Sequence, residues 1–256
     1  NVKQVGTCTA IYLADSDDMM PLATGYHPTI GWLWDYWIDV PSDWRTTSAT
    51  YQAYMEPSVS NATRPYRKNE DLLTLAGVSS QFLPFGTATG LKAPTKVGLA
   101  YNGLLHSYSH TAVNAPSSLP MFTQIGGILN AVGAETGPLP YPDCYTTNGD
   151  CRYVPANGNT CGSGAGHWSY FYYPNASQWI YGRAQTWVMT DTSARARNVG
   201  MNVGGRTDFR TDAYTNYRAN GVDNNTAWYD GGYCHAVLFR PDFDFQTWPT
   251  NPVAGY

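Results

Sequence analysis

The first fourteen residues, Asn1-Val-Lys-Gln-Val-Gly-Thr-Cys-Thr-Ala-Ile-Tyr-Leu-Ala14, contain no proline and space their apolar side chains for a helix. Val2, Val5, Cys8 or Thr9, and Tyr12 recur on one face, and Ile11 and Leu13 widen the stripe. The pattern is already running at residue 1 without a cap, which predicts a helix that continues upstream. It ends at Asp15-Ser-Asp-Asp18, ahead of Met-Met-Pro. Beyond residue 75 no such pattern can form, because Gly, Pro, Ser and Asn recur every few residues and the apolar runs shrink to strand length. Strands are expected at 97–102, 120–125, 168–173, 184–190, 199–203 and 234–239. Between the two regions, Gly31-Trp-Leu-Trp-Asp-Tyr-Trp-Ile-Asp-Val40 suits either a short helix or a strand, and 46–60 reads as a short capped helix stopped by Pro57. The expected fold is α+β: an N-terminal amphipathic helix packed on an antiparallel β-sheet with long loops. One domain, 1–256, would carry a helical and aromatic insertion at 19–75 and a β-rich region at 76–256.

Charge narrows the partners. Lys and Arg total 15 against 19 Asp and Glu, so the chain lacks the basic surface that makes nucleic acid a main partner. Only 13% of residues are charged, about half the usual share, so neutral polar groups must solvate the surface. No apolar run approaches the roughly 18 residues of a membrane span. Cys144 and Cys151 bracket a turn-rich stretch and read as a short disulfide loop, within a long Gly- and Pro-rich segment at 136–166. Cys161 would then pair with Cys234, leaving Cys8 buried on the helix. Zinc is the rival reading, although no Cys-x-x-Cys occurs. Disulfides and few lysines suit an extracytoplasmic protein. Sequons stand at Asn61, Asn175 and Asn224, candidate glycosylation sites or chance in an Asn-rich chain.

Candidate sites are few. Asp15, Asp17 and Asp18 put three acids where they oppose a helix macrodipole, so a compensating cation, calcium included, is one expectation. A polar turn at the helix end is the other. His106 and His110, four apart, can serve as zinc ligands if they share a helix, but their context is strand-like. Gly162-Ser-Gly-Ala-Gly166 lacks the strand–turn–helix setting of a nucleophile elbow. With only Glu56, Glu70 and Glu135 available, a glycosidase pair would need Asp. No catalytic constellation stands out, and the chain is expected not to be an enzyme.

Four segments, in order, resemble the type IV pilin-like and pseudopilin family, specifically the large-headed prepilin group with a terminal His-x9-Asp-Gly signature. Asn1-Val-Lys-Gln-Val-Gly-Thr with Ile11-Tyr-Leu-Ala-Asp-Ser-Asp-Asp18 is similar to the family's stretch after the membrane helix. Tyr54-Met-Glu-Pro-Ser-Val-Ser-Asn61 is similar to its next helix end, Gly98-Leu-Ala-Tyr-Asn-Gly-Leu-Leu-His-Ser-Tyr-Ser109 to its Tyr-Gly-x-Asn strand, and Asp230-Gly-Gly-Tyr-Cys-His-Ala-Val-Leu-Phe239 to its last hairpin. This chain departs from the signature, with Tyr229 where the His stands and Pro241-Asp242 near the Asp-Gly. It also lacks the family's Cys-Pro-Ser-Asp turn near 69–80. The resemblance implies a structural subunit that polymerises with copies of itself into an extracellular filament, periplasmic before assembly, for adhesion, motility or secretion. It implies Val2, Val5, Tyr12 and Leu13 as the assembly helix face, lying against the head's own sheet, no cofactor beyond a calcium ion, and membrane contact only through an upstream apolar helix. Two rival readings stay open. One is a carbohydrate-binding or aromatic-rich surface module with Trp32, Trp34, Trp37 and Trp44 along a groove; the other is a viral capsid protein.

Overall fold

A computed structural model describes residues 1–29, 31–32, 38–82, 90, 92–124, 129–135, 142, 151–153, 184–198 and 239–246. The N-terminal pattern forms helix α1 (Val2–Asp15). Its end is fixed by backbone geometry, since Asp17 and Asp18 adopt φ of 49° and 59°. The Asp18 N–H returns to the Leu13 carbonyl at 3.0 Å, closing the helix in the manner of a Schellman turn. Aspartate tolerates this left-handed backbone better than most residues.

Short elements follow: β1 (Tyr26–His27), β2 (Gly31–Trp32), β3 (Ile38–Asp39), α2 (Ala49–Met55) and α3 (Val59–Ala62). The aromatic run at 31–40 thus begins and ends as extended chain. The expected helix at 46–60 is shorter than read, and no side chain caps α2. Then come β4 (Ser79–Gln81), β5 (Lys96–Val97), β6 (Leu99–Tyr101), β7 (Pro120–Gln124), β8 (Leu129–Val132), β9 (Ala134–Glu135), β10 (Ala184–Met189) and β11 (Ala194–Asn198). The strands expected at 97–102, 120–125 and 184–190 are present in slightly shorter form. Those at 168–173 and 199–203 lie outside the described residues, as does 234–238.

The principal sheet has the order β11-β10-β7-β6, antiparallel throughout. A three-stranded sheet, β4-β8-β5, mixes a parallel and an antiparallel pair, and β3 pairs with β9. The architecture is α+β, with α1 laid across β10 and β11. Trp187, Val188 and Met189 are all fully buried. Three consecutive buried residues mean that β10 is covered on both faces, as a central strand under a helix should be. Val5, Leu13, Tyr101, Leu104, Leu105, Met121 and Phe122 join them in one core cluster.

Late residues close this core. Asn102 donates from Nδ2 to the carbonyls of Pro120 (3.0 Å) and Phe239 (2.9 Å). Tyr153 donates to Asp242 at 2.8 Å, and Arg240 braces the same carboxylate.

The approach of α1 to the sheet is set by Gly6. A Cβ there would overlap the Thr192 carbonyl oxygen in the β10–β11 turn and press on a Val188 methyl. Helix propensity alone favours Ala over Gly by about 1 kcal/mol, whereas overpacking costs about 1–3 kcal/mol. The backbone carbonyl cannot swing away, so the clash dominates. Gly6→Ala is expected to lower the stability measured by urea unfolding; a gain would show that the contact is loose.

Candidate functional site

Helix α1 presents two unlike faces. Val5, Gly6, Cys8, Thr9 and Leu13 are buried. Val2 packs against the core edge, and Tyr12 meets Tyr66 edge-on at 6.1 Å between ring centres. Of the four residues of the assembly helix expected to face the sheet, Val5 and Leu13 are inside the head's core, and Val2 and Tyr12 are half-buried at its margin. The opposite face, Lys3, Gln4, Thr7, Ile11, Ala14 and Asp15, is exposed. Ile11 keeps 45% of its surface in water, one of three large apolar side chains so exposed among the described residues.

Cys8 is free and buried, as spacing predicted. Burial pushes its thiol up, against the opposing effect of Arg67. Cys151 is buried and disulfide-bonded. Cys144, Cys161 and Cys234 lie outside the described residues, and so do the sequons at Asn175 and Asn224.

Asn61 is a correction. Its side chain is 4% exposed, and Nδ2 donates to the Asp39 carbonyl (2.9 Å), the Met55 carbonyl (3.0 Å) and Ser58 Oγ (3.3 Å). The nitrogen that would carry a glycan is inside the fold, so this sequon cannot hold one in the folded chain. The expected calcium cluster does not converge either. Asp15 accepts the Tyr66 hydroxyl at 2.9 Å, Asp17 and Asp18 shape the turn, and no group of three metal ligands occurs among the described residues.

The histidine pair is likewise separated by its backbone. His106 ends one 3-10 turn and His110 begins the next, so no helix face joins them. His106 Nδ1 accepts the Ala23 N–H at 3.0 Å, and His110 Nε2 meets the Thr190 carbonyl at 2.8 Å. Burial pushes the His106 imidazole down to about 3.

Among the proposed sugar-platform residues, Trp44 is 1% exposed, packed beside Gly133 and Gly90. Trp32 stands edge-on to Tyr26 and to His106, at ring-centre distances of 5.5 and 4.7 Å. Trp32 is half-buried. Trp34 and Trp37 lie outside the described residues.

Sequence reading missed a buried polar layer between the 49–67 segment and the β3–β9 pair. Glu135 (2% exposed) accepts the Ser60 N–H at 3.0 Å and the Ser58 hydroxyl at 3.4 Å. Asp39 is buried against Arg45, whose Nε donates at 2.7 Å. Arg67 reaches Thr63 Oγ1, the Ser60 carbonyl and Glu70. The available signal was a lone Glu next to the run Leu129-Asn-Ala-Val-Gly-Ala134.

Comparison with protein-family models, curated proteins and solved structures returns no match for this chain.

Because an unfolded chain protonates His106 near its ordinary value of 6.5 while the folded one resists until about 3, stability falls as pH drops through that window. The loss is on the order of a few kcal/mol. Urea midpoints between pH 6.5 and 3 are expected to fall less steeply in His106→Gln than in the parent chain. Equal slopes would place the acid sensitivity elsewhere.

Proposed function

We propose that this chain is the head of a non-enzymatic subunit of an extracellular filament of the type IV pilus or pseudopilus kind. The observation that carries the reading is the two-faced helix α1. One face is sealed onto an antiparallel sheet, and the other leaves Thr7, Ile11 and Ala14 uncovered between Lys3 and Asp15. Ile11 stands at the centre of that uncovered face, with small or polar residues around it that a neighbouring copy can approach closely. In a filament that face meets a different patch on the next copy, the heterologous contact that generates helical fibres. A surface with few charges suits such packing, since little desolvation opposes it.

In this reading Cys144–Cys151 and Cys161–Cys234 staple the long loops, Asn175 and Asn224 are the sequons available for glycans, and the chain works at the cell surface after passing the periplasm. Its function is adhesion, motility or secretion. Its partners are copies of itself, joined by surface or glycan ligands at the fibre, and calcium is an optional ion.

The test begins with the reading frame upstream of Asn1. A short basic leader followed by about 20 apolar residues running into Asn-Val-Lys-Gln is expected. Electron microscopy of cells expressing the whole gene should then show fibres labelled by antibody to the head. Ile11→Asp should abolish the fibres while leaving the head's unfolding free energy within about 0.5 kcal/mol. A conventional cleaved signal peptide upstream, or fibres untouched by Ile11→Asp, would overturn the reading.

A further inference from the structure

The polar layer beneath the 49–67 segment contains a carboxylic acid with no ion pair among the described residues. Glu135 sits on β9, across from Ile38 of β3, and its side chain crosses to α3 and the residue before it. It thereby joins two pieces of chain 75 residues apart, with Ser60 N–H and Ser58 Oγ–H as donors to one carboxylate oxygen.

The charged and titratable groups around it are otherwise engaged. On the 58–67 side stands Arg67, its guanidinium turned to Thr63, to the Ser60 carbonyl and to Glu70 at 3.2 Å. On β3 stands Asp39, held by Arg45. On β6 stands Tyr101, whose hydroxyl donates to the Pro21 carbonyl at 3.1 Å. His27 of β1 packs against Tyr51 and Tyr54 of α2, on the far side of the same segment.

We propose that Glu135 is a proton-operated latch: protonated, it holds the 49–67 segment on the β3–β9 edge, and ionised, it lets that segment open. The neutral acid is the form that this dry site accommodates. The carboxylate must leave water without a salt bridge in return, and a buried charge without its partner is costly.

The direction follows from the two states of the carboxyl. With the segment docked, burial pushes Glu135 up to about 7, with the Ser60 and Ser58 hydrogen bonds and Arg67 opposing. With the segment open and solvated, Glu135 returns to its ordinary 4.5. Docking therefore weakens as pH rises from 4.5 towards 7 and levels off above it. Between about pH 6 and pH 8.5 the open fraction should grow about tenfold. His27, which packs against the same segment, is separated by mutation.

Hydrogen–deuterium exchange on the full chain tests the latch, with rates corrected for the intrinsic pH dependence of exchange. Peptides covering 49–67 should open about tenfold more at pH 8.5 than at pH 6, while those of β10 and β11 should not. Glu135→Gln should remove the rise, and His27→Gln should preserve it. A rise below twofold in the parent chain, or one that survives in Glu135→Gln, overturns the proposal. Should Glu135→Gln fail to fold, the parent chain decides alone. It has three glutamates, so carboxyl-carbon NMR of glutamate-labelled protein must show one signal titrating near 7, and three signals below about 5.5 would refute the latch.

Discussion

The close contact between α1 and the β10–β11 turn is the constraint on which the rest of the structure depends. Gly6 lets the helix backbone reach a backbone carbonyl, and that approach buries β10 from both sides. Once β10 is central, β7 and β6 fall in line beside it, and the aromatic and aliphatic side chains of 99–122 have a floor to pack on. The same contact decides which face of α1 is left outside. A bulkier residue at position 6 would lift the helix and expose both Val188 and the inner stripe, so the outer face exists as a separate surface because the inner one fits so tightly.

The 49–67 segment is held by different forces. Val59 joins it to the main core, whereas Tyr54 and Met55 form with Ile38 a small cluster apart, so a continuous apolar seam is limited. What replaces it is hydrogen bonding by buried polar side chains, with Asn61 acting as a triple donor to the backbone and side chain around it. Such a layer is directional, and each member depends on its neighbours remaining in place. The molecule thus joins a rigid apolar body to a region that is specified mainly by polar complementarity.

The sequence made the first of these regions legible and not the second. Helix α1 announced itself because its apolar spacing matches one helical turn, and β7 and β10 because each is a short apolar run between turn residues. Gly6 was invisible as a contact residue, since a residue with no side chain gives no periodic signal while permitting the closest approach, whereas Thr9 fell on the inner face by its spacing. Asn61 read as a glycan acceptor because its sequon is a local pattern, whereas its burial depends on Asp39 and Met55. Glu135 and Asp39 stand on paired strands of two residues each, opposite Ile38 and Ala134, too short for any alternation to register. His106 and His110 were four apart, but two 3-10 turns break the helix that the spacing assumed.

The bond from Asn102 to Phe239 has a bearing on how the chain comes to be folded at all. It spans 137 positions and sits at the bottom of the core. A nascent chain therefore carries the apolar floor of β6 and β7 without this closing contact until residue 239 has emerged. Any cell that makes this protein must keep its half-finished form from aggregating, and must do so for longer than a chain of local contacts would require.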